Sequence, residues 1–226
     1  MKTSSLVSQR TMAVVIISLV SAIAALLLIA FIQQPVHDNA LREVVFANLD
    51  KTGVSNPVTA VLLNYRAFDT YLEFAVFLCV AVAVLPYVLD VQLPKQKLSA
   101  ESQVLAIAKI FVPLSILMAG YLLWIGSTQP GGAFQAASLL AGCLVLLSLA
   151  NVRTIDFSTA RSRFLLSGGL LAFIVVNIVV FSQTFCFITL PQNIAGSLIL
   201  FIEFFATFAV SASLFLCFES IHKGHL

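Results

Sequence analysis

Long apolar runs alternate with short polar segments along the whole chain. The runs are unbroken, unlike the alternating pattern of a soluble domain, and each is near the ~20 residues that an α-helix needs to cross a bilayer. Six such runs predict six membrane spans, at roughly Thr11–Ile32, Asp69–Leu89, Val104–Ile125, Phe134–Asn151, Phe164–Phe185 and Ile194–Phe218. The pattern therefore predicts an all-α, multi-pass membrane protein.

A polar segment of ordinary composition, Gln33–Asn56, follows the first span. The next segment, Pro57–Arg66, is too short to cross a bilayer. Asn56 is a good N-cap and proline suits the first turn of a helix, so a short helix is predicted to begin at Pro57. We expect it to lie at the surface or to re-enter the membrane against partner protein. The predicted fold is thus about six transmembrane helices plus one short non-spanning helix.

The composition agrees with a membrane location. Of the 226 residues, 60% are hydrophobic and 10% are charged, and the mean hydropathy is +1.05, whereas about 25% of the residues of a soluble domain are charged. The first apolar run has no clear cleavage site, so we expect a retained helix rather than a signal peptide. A net charge of +2 without a basic run argues against nucleic acid as a partner.

The sequence predicts no metal site, no cofactor and no enzyme active site. Its histidines and cysteines are isolated, without the spacing of a metal site or of a catalytic thiol. The cysteines are better explained as small packing residues within the spans. These residues are His37, His222, His225, Cys79, Cys143, Cys186 and Cys217.

The distribution of basic residues predicts the orientation. Most of them fall on one side of the six-span arrangement: Lys2, Arg10, Lys95, Lys97, Arg153, Arg161, Arg163 and Lys223. Only Arg42, Lys51 and Arg66 lie on the other side, in one long loop that also carries acidic residues. By the positive-inside rule, both termini are predicted to be cytoplasmic.

A cluster of ionisable residues stands at the mouth of the second span. Arg66, Asp69, Thr70 and Glu73 follow helical spacing and are predicted to share one face. They form either an ion or proton relay, in which the arginine tunes the carboxylates, or a salt bridge that anchors the helix end at the headgroups. Glu73 lies about 6 Å deeper than Asp69 at ~1.5 Å per residue, so we expect it to be more desolvated and more important for transport.

Two further charges lie inside predicted spans. Lys109 is in the cytoplasmic third of its span and can extend its ammonium to the headgroups. Glu203 is nearly half-way along the last span, among phenylalanine and isoleucine. A carboxylate there must be neutral, paired or next to a hydrated cavity. It is either a functional group or one partner of an interhelix hydrogen bond.

The loop between the third and fourth spans, Thr128–Gln135, carries no charge. Gly131 and Gly132 after Pro130 allow a tight turn and a close approach of neighbouring backbone, and Phe134 opens the next span. The loop lacks the lysine of a phosphate-binding loop, so nucleotide binding is not expected. It is predicted to form a rigid hairpin between two helices.

Two stretches together resemble the multisubunit Mrp-type cation/proton antiporters and their relatives in membrane-bound hydrogenases. The stretch from Thr52 to Glu73 resembles the C-terminal segment of the large A subunit, which is a separate small E-type subunit in hydrogenase-type complexes. The second half, from Ala106–Lys109 through Pro130–Gln135 to the end, resembles the B subunit. The resemblance implies an E-type segment at 1–92, a linker at 93–102 and a B-like domain at 103–226.

The chain departs from the family at four positions. Asn64 stands where an aspartate is common, and Ala67 and Ala133 stand where glycines are usual. The aspartate that usually opens the last span of B subunits has Glu203, further along that span, as its nearest counterpart in this chain.

The resemblance implies a multi-pass subunit of an Mrp-type Na⁺/H⁺ antiporter, or of a related complex, in the cell inner membrane. Large antiporter-like subunits and small three-helix subunits would be its partners, and Na⁺ and H⁺ the transported ions. Asp69 and Glu73 are then candidate carboxylates of the ion pathway, Arg66 is their charge partner, and Lys109 and Glu203 lie at interfaces with neighbours. The alternative is a structural or assembly subunit of a redox-driven complex, such as a membrane-bound hydrogenase, that moves no ion. A self-sufficient transporter is disfavoured because the sequence has no internal repeat.

Overall fold

A computed structural model describes residues 2–33, 40–90, 102–152, 155–185 and 190–224 of the chain. Within these ranges the protein is helical and contains no strand. The α-helices are α1 (Lys2–Gln33), α2 (Ala40–Ala47), α3 (Pro57–Ala60), α4 (Ala67–Asp90), α5 (Ser102–Ile125), α6 (Ala133–Leu149), α7 (Ala160–Thr184) and α8 (Ala195–Gly224). A 3₁₀ turn at Leu49–Lys51 and a π-helical turn at Val61–Tyr65 complete the elements.

The six predicted spans fall on six of these helices. Five described helices, α1, α4, α5, α7 and α8, have the length and hydropathy to cross a membrane. The sixth, α6, is a shorter apolar helix of 17 residues. The predicted fold class, a multi-pass helical membrane protein, is confirmed. The cytoplasmic placement of both termini stays a prediction.

The chain divides into two units, Met1–Arg42 and Glu43–Leu226. In the first unit, α1 is exposed at every residue from Met12 to Gln33. Its apolar side chains point in all directions, as expected of a helix that is surrounded by lipid or by partner protein.

In the second unit, α8 is the central helix and packs against α4, α6 and α7. In the most apolar 18-residue stretch of α8, 61% of the residues are buried, compared with 17% in the corresponding stretch of α4. Two groups of buried side chains surround it. One lies near its beginning and includes Ile199 and Ile202, and the other lies near its end and includes Phe215 and Leu216.

Small residues allow the helices of this unit to approach closely. A Cβ atom added at Gly169 of α7 would lie 2.9 Å from the Cα atom of Ala206 in α8. Association of helices in lipid depends on such close van der Waals packing, because burial of apolar surface gives no driving force there. The contact between α7 and α8 therefore depends on a residue without a side chain.

The short helix predicted at Pro57–Arg66 is present, but in two parts. Asn56 caps it as expected, because its side-chain Oδ1 accepts a hydrogen bond of 3.0 Å from the Val58 N–H. Four α-helical residues follow, and the backbone then widens into the π-helical turn and stops at Arg66. The second of the predicted spans begins directly after this break.

Candidate functional site

The centre of the candidate site is the break between the π-helical turn and α4. The Arg66 N–H donates to the Val61 carbonyl at 2.7 Å, which is the wide spacing of a π-helix. Arg66 itself leaves the helical conformation, with φ −124° and ψ 33°. The Thr70 hydroxyl then donates to the Leu62 carbonyl at 2.8 Å and satisfies one of the oxygens that the break leaves free. Irregular backbone inside a membrane is tolerated where it is buried in protein or lines a cavity.

Two polar side chains ahead of the break hold the loop between α5 and α6. The side-chain amide of Asn56 donates to the carbonyls of Gly126 and Gln129, at 2.9 and 2.8 Å. The Thr59 hydroxyl also donates to Gly126, at 2.6 Å. Asn56 and Thr59 are both buried, and their two bonds to the Gly126 carbonyl are shielded from water. We call this set of contacts the loop clamp.

The loop held by the clamp brings bare backbone against α5 and α8. A Cβ atom added at Gly131 would lie 2.5 Å from the Leu122 carbonyl oxygen, and one added at Gly132 would lie 2.9 Å from the carboxylate Oε1 of Glu203. Gly132 also has φ +114°, a conformation that favours glycine. Phe134, two residues on, packs its ring near that of Phe74, with centroids 6.0 Å apart. Pro130 precedes the glycines and is exposed.

Glu203 lies in α8 directly opposite the beginning of α6. It is only 7% exposed, and its carboxylate accepts a hydrogen bond from the backbone N–H of Ala133, the first residue of α6. The N-terminus of a helix carries partial positive charge and free N–H groups, so it stabilises a carboxylate. The hydroxyl of Thr207, one turn further along α8, donates to the backbone carbonyl of Glu203 at 2.7 Å.

A cavity of about 90 Å³ lies between the break, the loop and Glu203. Since a water molecule occupies roughly 30 Å³ in the liquid, the cavity has room for a few waters or for one ion with part of its hydration shell. Its walls come from both halves of the sequence. The lining residues are Val58, Thr59, Leu62, Leu63, Thr70, Phe74, Gly131, Gly132, Ala133, Phe134, Gln135 and Glu203.

The polar side chains of this cavity are mainly hydrogen-bond acceptors. The hydroxyl hydrogens of Thr59 and Thr70 are already donated to backbone carbonyls, so the lone pairs of these oxygens are what remains. Glu203 adds carboxylate oxygens, and the side-chain oxygen of Gln135 lies near Gly132. These acceptor oxygens, set in an otherwise apolar lining, can accept hydrogen bonds from water or a hydrated proton or can coordinate a small cation.

The other residues singled out by the sequence lie apart from Glu203. Arg66 and Asp69 form an ion pair of 2.5 Å whose side chains are 66% and 43% exposed. Glu73 is exposed on α4, and Lys109 is exposed on α5. No ion pair of Glu73 or Lys109 occurs among the described residues. Within this chain Glu73 is more exposed than Asp69, and the expectation that Glu73 is the more desolvated of the two in the membrane stays a prediction.

The four residues that were predicted to share one face differ in burial. The side chain of Thr70 is buried and 3% exposed, while Arg66 lies on the surface. Arg66 is a turn residue rather than part of α4, so helical spacing does not relate it to the other three, and the Thr70 hydroxyl donates inward to the Leu62 carbonyl. Thr70 belongs to the cavity, and the Arg66–Asp69 pair does not.

Asn56, Thr59 and Gln135 are site residues that the sequence did not identify as such. The N-cap signal located Asn56 but gave no indication of its bonds to a loop 70 residues away. A lone threonine and a lone glutamine carry no distinctive pattern. Asn64 also gains an explanation, because its side-chain amide donates to the Thr52 carbonyl at 3.3 Å. An ionised aspartate at this position could not donate that hydrogen bond.

Comparison with known families identifies the second half of the chain. A family model described as a domain related to the MnhB subunit of the Na⁺/H⁺ antiporter matches residues 104–216. The chain belongs to this MnhB-related family. The match covers nearly all of α5, all of α6 and α7, and most of α8 with Glu203. It confirms the resemblance of the second half to the MnhB-type antiporter subunit, while the E-type segment and the domain boundaries remain predictions.

Two solved structures share the fold of this MnhB-family chain. One is the Mrp complex from Dietzia sp. DQ12-45-1b, with a TM-score of 0.63, 20% sequence identity and 94% of this chain covered. This chain spans only 26% of the length of the chain that it matches there. The other is the membrane-bound sulfane sulfur reductase, an archaeal respiratory membrane complex, with a TM-score of 0.66, 18% identity, and 92% of this chain and 97% of that chain covered. No curated protein sequence matches the chain.

Proposed function

We propose that this MnhB-family chain is a membrane subunit of an Mrp-type Na⁺/H⁺ antiporter or of a related ion-translocating complex, and that the Glu203 cavity is a station on its ion pathway. The family match supports the first part of the proposal. The second part rests on one observation: a buried carboxylate at a helix N-terminus faces an acceptor-lined cavity beside broken backbone.

The chemistry of this station is an exchange at a single carboxylate. Protonated Glu203 releases its proton when a cation enters the cavity, and the carboxylate oxygens then bind the cation together with threonine hydroxyl oxygens. When the cation leaves, the Glu203 carboxylate binds a proton again from water in the cavity. Because both ions need the same oxygens, they compete, and competition at one site is the simplest basis for antiport. The N-terminus of α6 offsets part of the cost of the ionised state.

Glu73 and Lys109 have a different place in this proposal. Both lie within spans and are exposed on the surface of this chain. An ionisable group that faces lipid is costly, so such groups in membrane proteins face partners or water. We therefore assign Glu73 and Lys109 to contacts with neighbouring membrane subunits, where Glu73 can join a pathway formed by two chains.

The competing function is that of an assembly subunit that moves no ion. In that case Glu203 acts only as a hydrogen-bond acceptor for the first turn of α6. Glutamine has the same shape and keeps an acceptor oxygen, so Glu203→Gln removes the ionisable group and preserves that structural role. The two functions therefore predict opposite results for this one variant.

The test is Na⁺-driven proton flux in vesicles that contain the complete complex. A carboxylate and a cation ~4 Å apart attract by about 4 kcal/mol at an effective dielectric constant of ~20, which corresponds to about a thousandfold in affinity. We expect Glu203→Gln to lower flux at least tenfold with all subunits still co-purifying, and Glu203→Asp to retain part of it. Glu219→Gln is the matched control, because Glu219 is on the same helix and accepts a hydrogen bond from Ser148 of α6, away from the cavity. Normal flux in the Glu203→Gln complex would contradict the ion-pathway role of Glu203 and favour the assembly function.

A further inference from the structure

A second, larger groove runs along the outer surface where α7 and α8 meet. Its volume is about 480 Å³. Five phenylalanines form most of its aromatic surface: Phe164, Phe201, Phe204, Phe205 and Phe208. The charged residue that lines it is Arg161, in the first turn of α7. The groove does not include Glu203 and is independent of the proposed ion pathway.

The groove has a charged mouth and an apolar body. The membrane-spanning part of α7 begins at Ala160, so Arg161 lies at the membrane edge. The groove extends along α7 as far as Val175. Those 14 residue steps correspond to about 21 Å at ~1.5 Å per residue, which is more than half of the ~30 Å hydrocarbon core. The groove therefore leads from the headgroup level past the middle of the bilayer.

Two adjacent glycines in α7 have opposite roles here. Gly169 faces α8 and is in tight contact with it, since an added Cβ would lie 2.9 Å from the Ala206 Cα. Gly168 lines the groove, and an added Cβ would meet only the Phe205 ring, at 3.9 Å. The absence of a side chain at Gly168 therefore keeps the groove open without being needed for helix packing.

We propose that this groove binds an anionic phospholipid, with the phosphate at Arg161 and an acyl chain along the phenylalanines. A guanidinium donates paired hydrogen bonds to phosphate oxygens and remains charged at every physiological pH. Basic pockets between transmembrane helices bind anionic headgroups in this way. The charge at one end and the apolar length behind it match an amphiphile. A partner helix would instead have to place an acidic residue at the membrane edge to match Arg161.

The experiment measures lipid bound to the purified complex by native mass spectrometry, after incubation with vesicles of phosphatidylglycerol and phosphatidylcholine in equal amounts. We expect phosphatidylglycerol to be retained preferentially by the native complex. Arg161→Gln should reduce the retained phosphatidylglycerol at least fivefold. Arg163→Gln is the matched control, because Arg163 is an exposed arginine of the same helix turn that does not line the groove. Retention in this control should equal that of the native complex.

A second variant tests the apolar body. Gly168→Leu places a side chain in the groove and should reduce the retention of both lipids, while the subunits still co-purify. Equal retention of phosphatidylglycerol by Arg161→Gln and the native complex would overturn the proposal. So would loss of another subunit from the Gly168→Leu complex, because the groove would then be the seat of a partner helix.

Discussion

Asn56 is the residue through which the broken helix and the α5–α6 loop depend on each other. It caps α3 through Oδ1 and donates two hydrogen bonds to the loop through Nδ2. Replacing Asn56 with alanine removes the cap, at a cost of about 1 kcal/mol, and leaves the part-buried carbonyl of Gln129 without this donor, at roughly 1–3 kcal/mol, while the Gly126 carbonyl keeps the Thr59 hydroxyl. The lower ends of these two costs add to about 2 kcal/mol, which we take as the smallest expected loss of free energy holding the loop clamp together.

Asn56→Asp separates the two roles, because aspartate caps a helix as well as asparagine does but has no hydrogen to donate. Its carboxylate would also face the carbonyls of Gly126 and Gln129. We therefore expect Asn56→Asp to loosen the loop at least as much as Asn56→Ala does, although it keeps the cap. If the cap were the important contact, Asn56→Asp would behave like the native chain.

Amide hydrogen exchange in the purified complex measures the effect locally. The N–H groups of Ser55 and Asn56 both donate to the Ser127 carbonyl, at 3.3 and 3.1 Å, so their exchange reports on the clamp. A loss of about 2 kcal/mol corresponds to roughly thirtyfold faster exchange at ~1.4 kcal/mol per factor of ten. Thr159→Ala, which removes the cap of α7, is a control that should leave these amides unchanged. Unchanged exchange of these amides in Asn56→Asp would refute the reasoning.

Two further predictions concern the cavity and the α4 carboxylates. Gly132→Ala should destabilise the site by about 1–3 kcal/mol, because Gly132 has a positive φ. It should also reduce ion flux by displacing Glu203, whose carboxylate would lie 2.9 Å from the new Cβ. Normal flux in this variant would show that the contact is not needed. Glu73→Gln should reduce flux more than Asp69→Asn, since Asp69 is held in an exposed ion pair with Arg66. Glu73→Cys should form a cross-link to another subunit. Equal fluxes in Glu73→Gln and Asp69→Asn would contradict the assignment of Glu73 to a pathway formed by two chains.

The spans could be predicted from the sequence because they depend on run length alone. A long apolar run predicts a membrane-spanning helix whichever helices it packs against. The predicted and observed helices therefore coincide although the packing was not known. The start of the short helix was predictable for a similar reason, because the cap at Asn56 is a local interaction.

The site was only partly predictable because most of its contacts are between a side chain and distant backbone. Glu203 was conspicuous as a carboxylate in an apolar helix, but its partner is the N–H group of Ala133, and a backbone N–H has no sequence signature. Thr59 bonds to a carbonyl 67 positions away. The spacing argument assumed a continuous helix through Arg66, where the backbone breaks, and it gave no indication that Thr70 is buried with its hydroxyl donating to the Leu62 carbonyl.

The pairing of α6 with α8 determines the axial position of Glu203. Glu203 meets the first residue of α6 and Glu219 meets Ser148 near its last turn, so the two helices run in the same direction. The attachments are about 24 Å apart at ~1.5 Å per residue. Sliding α8 along α6 by one turn, about 5.4 Å, would break both at once. The α6–α8 pair therefore holds Glu203 at a fixed axial position, and Leu62 and Leu63 of the π-helical turn line the cavity that Glu203 faces.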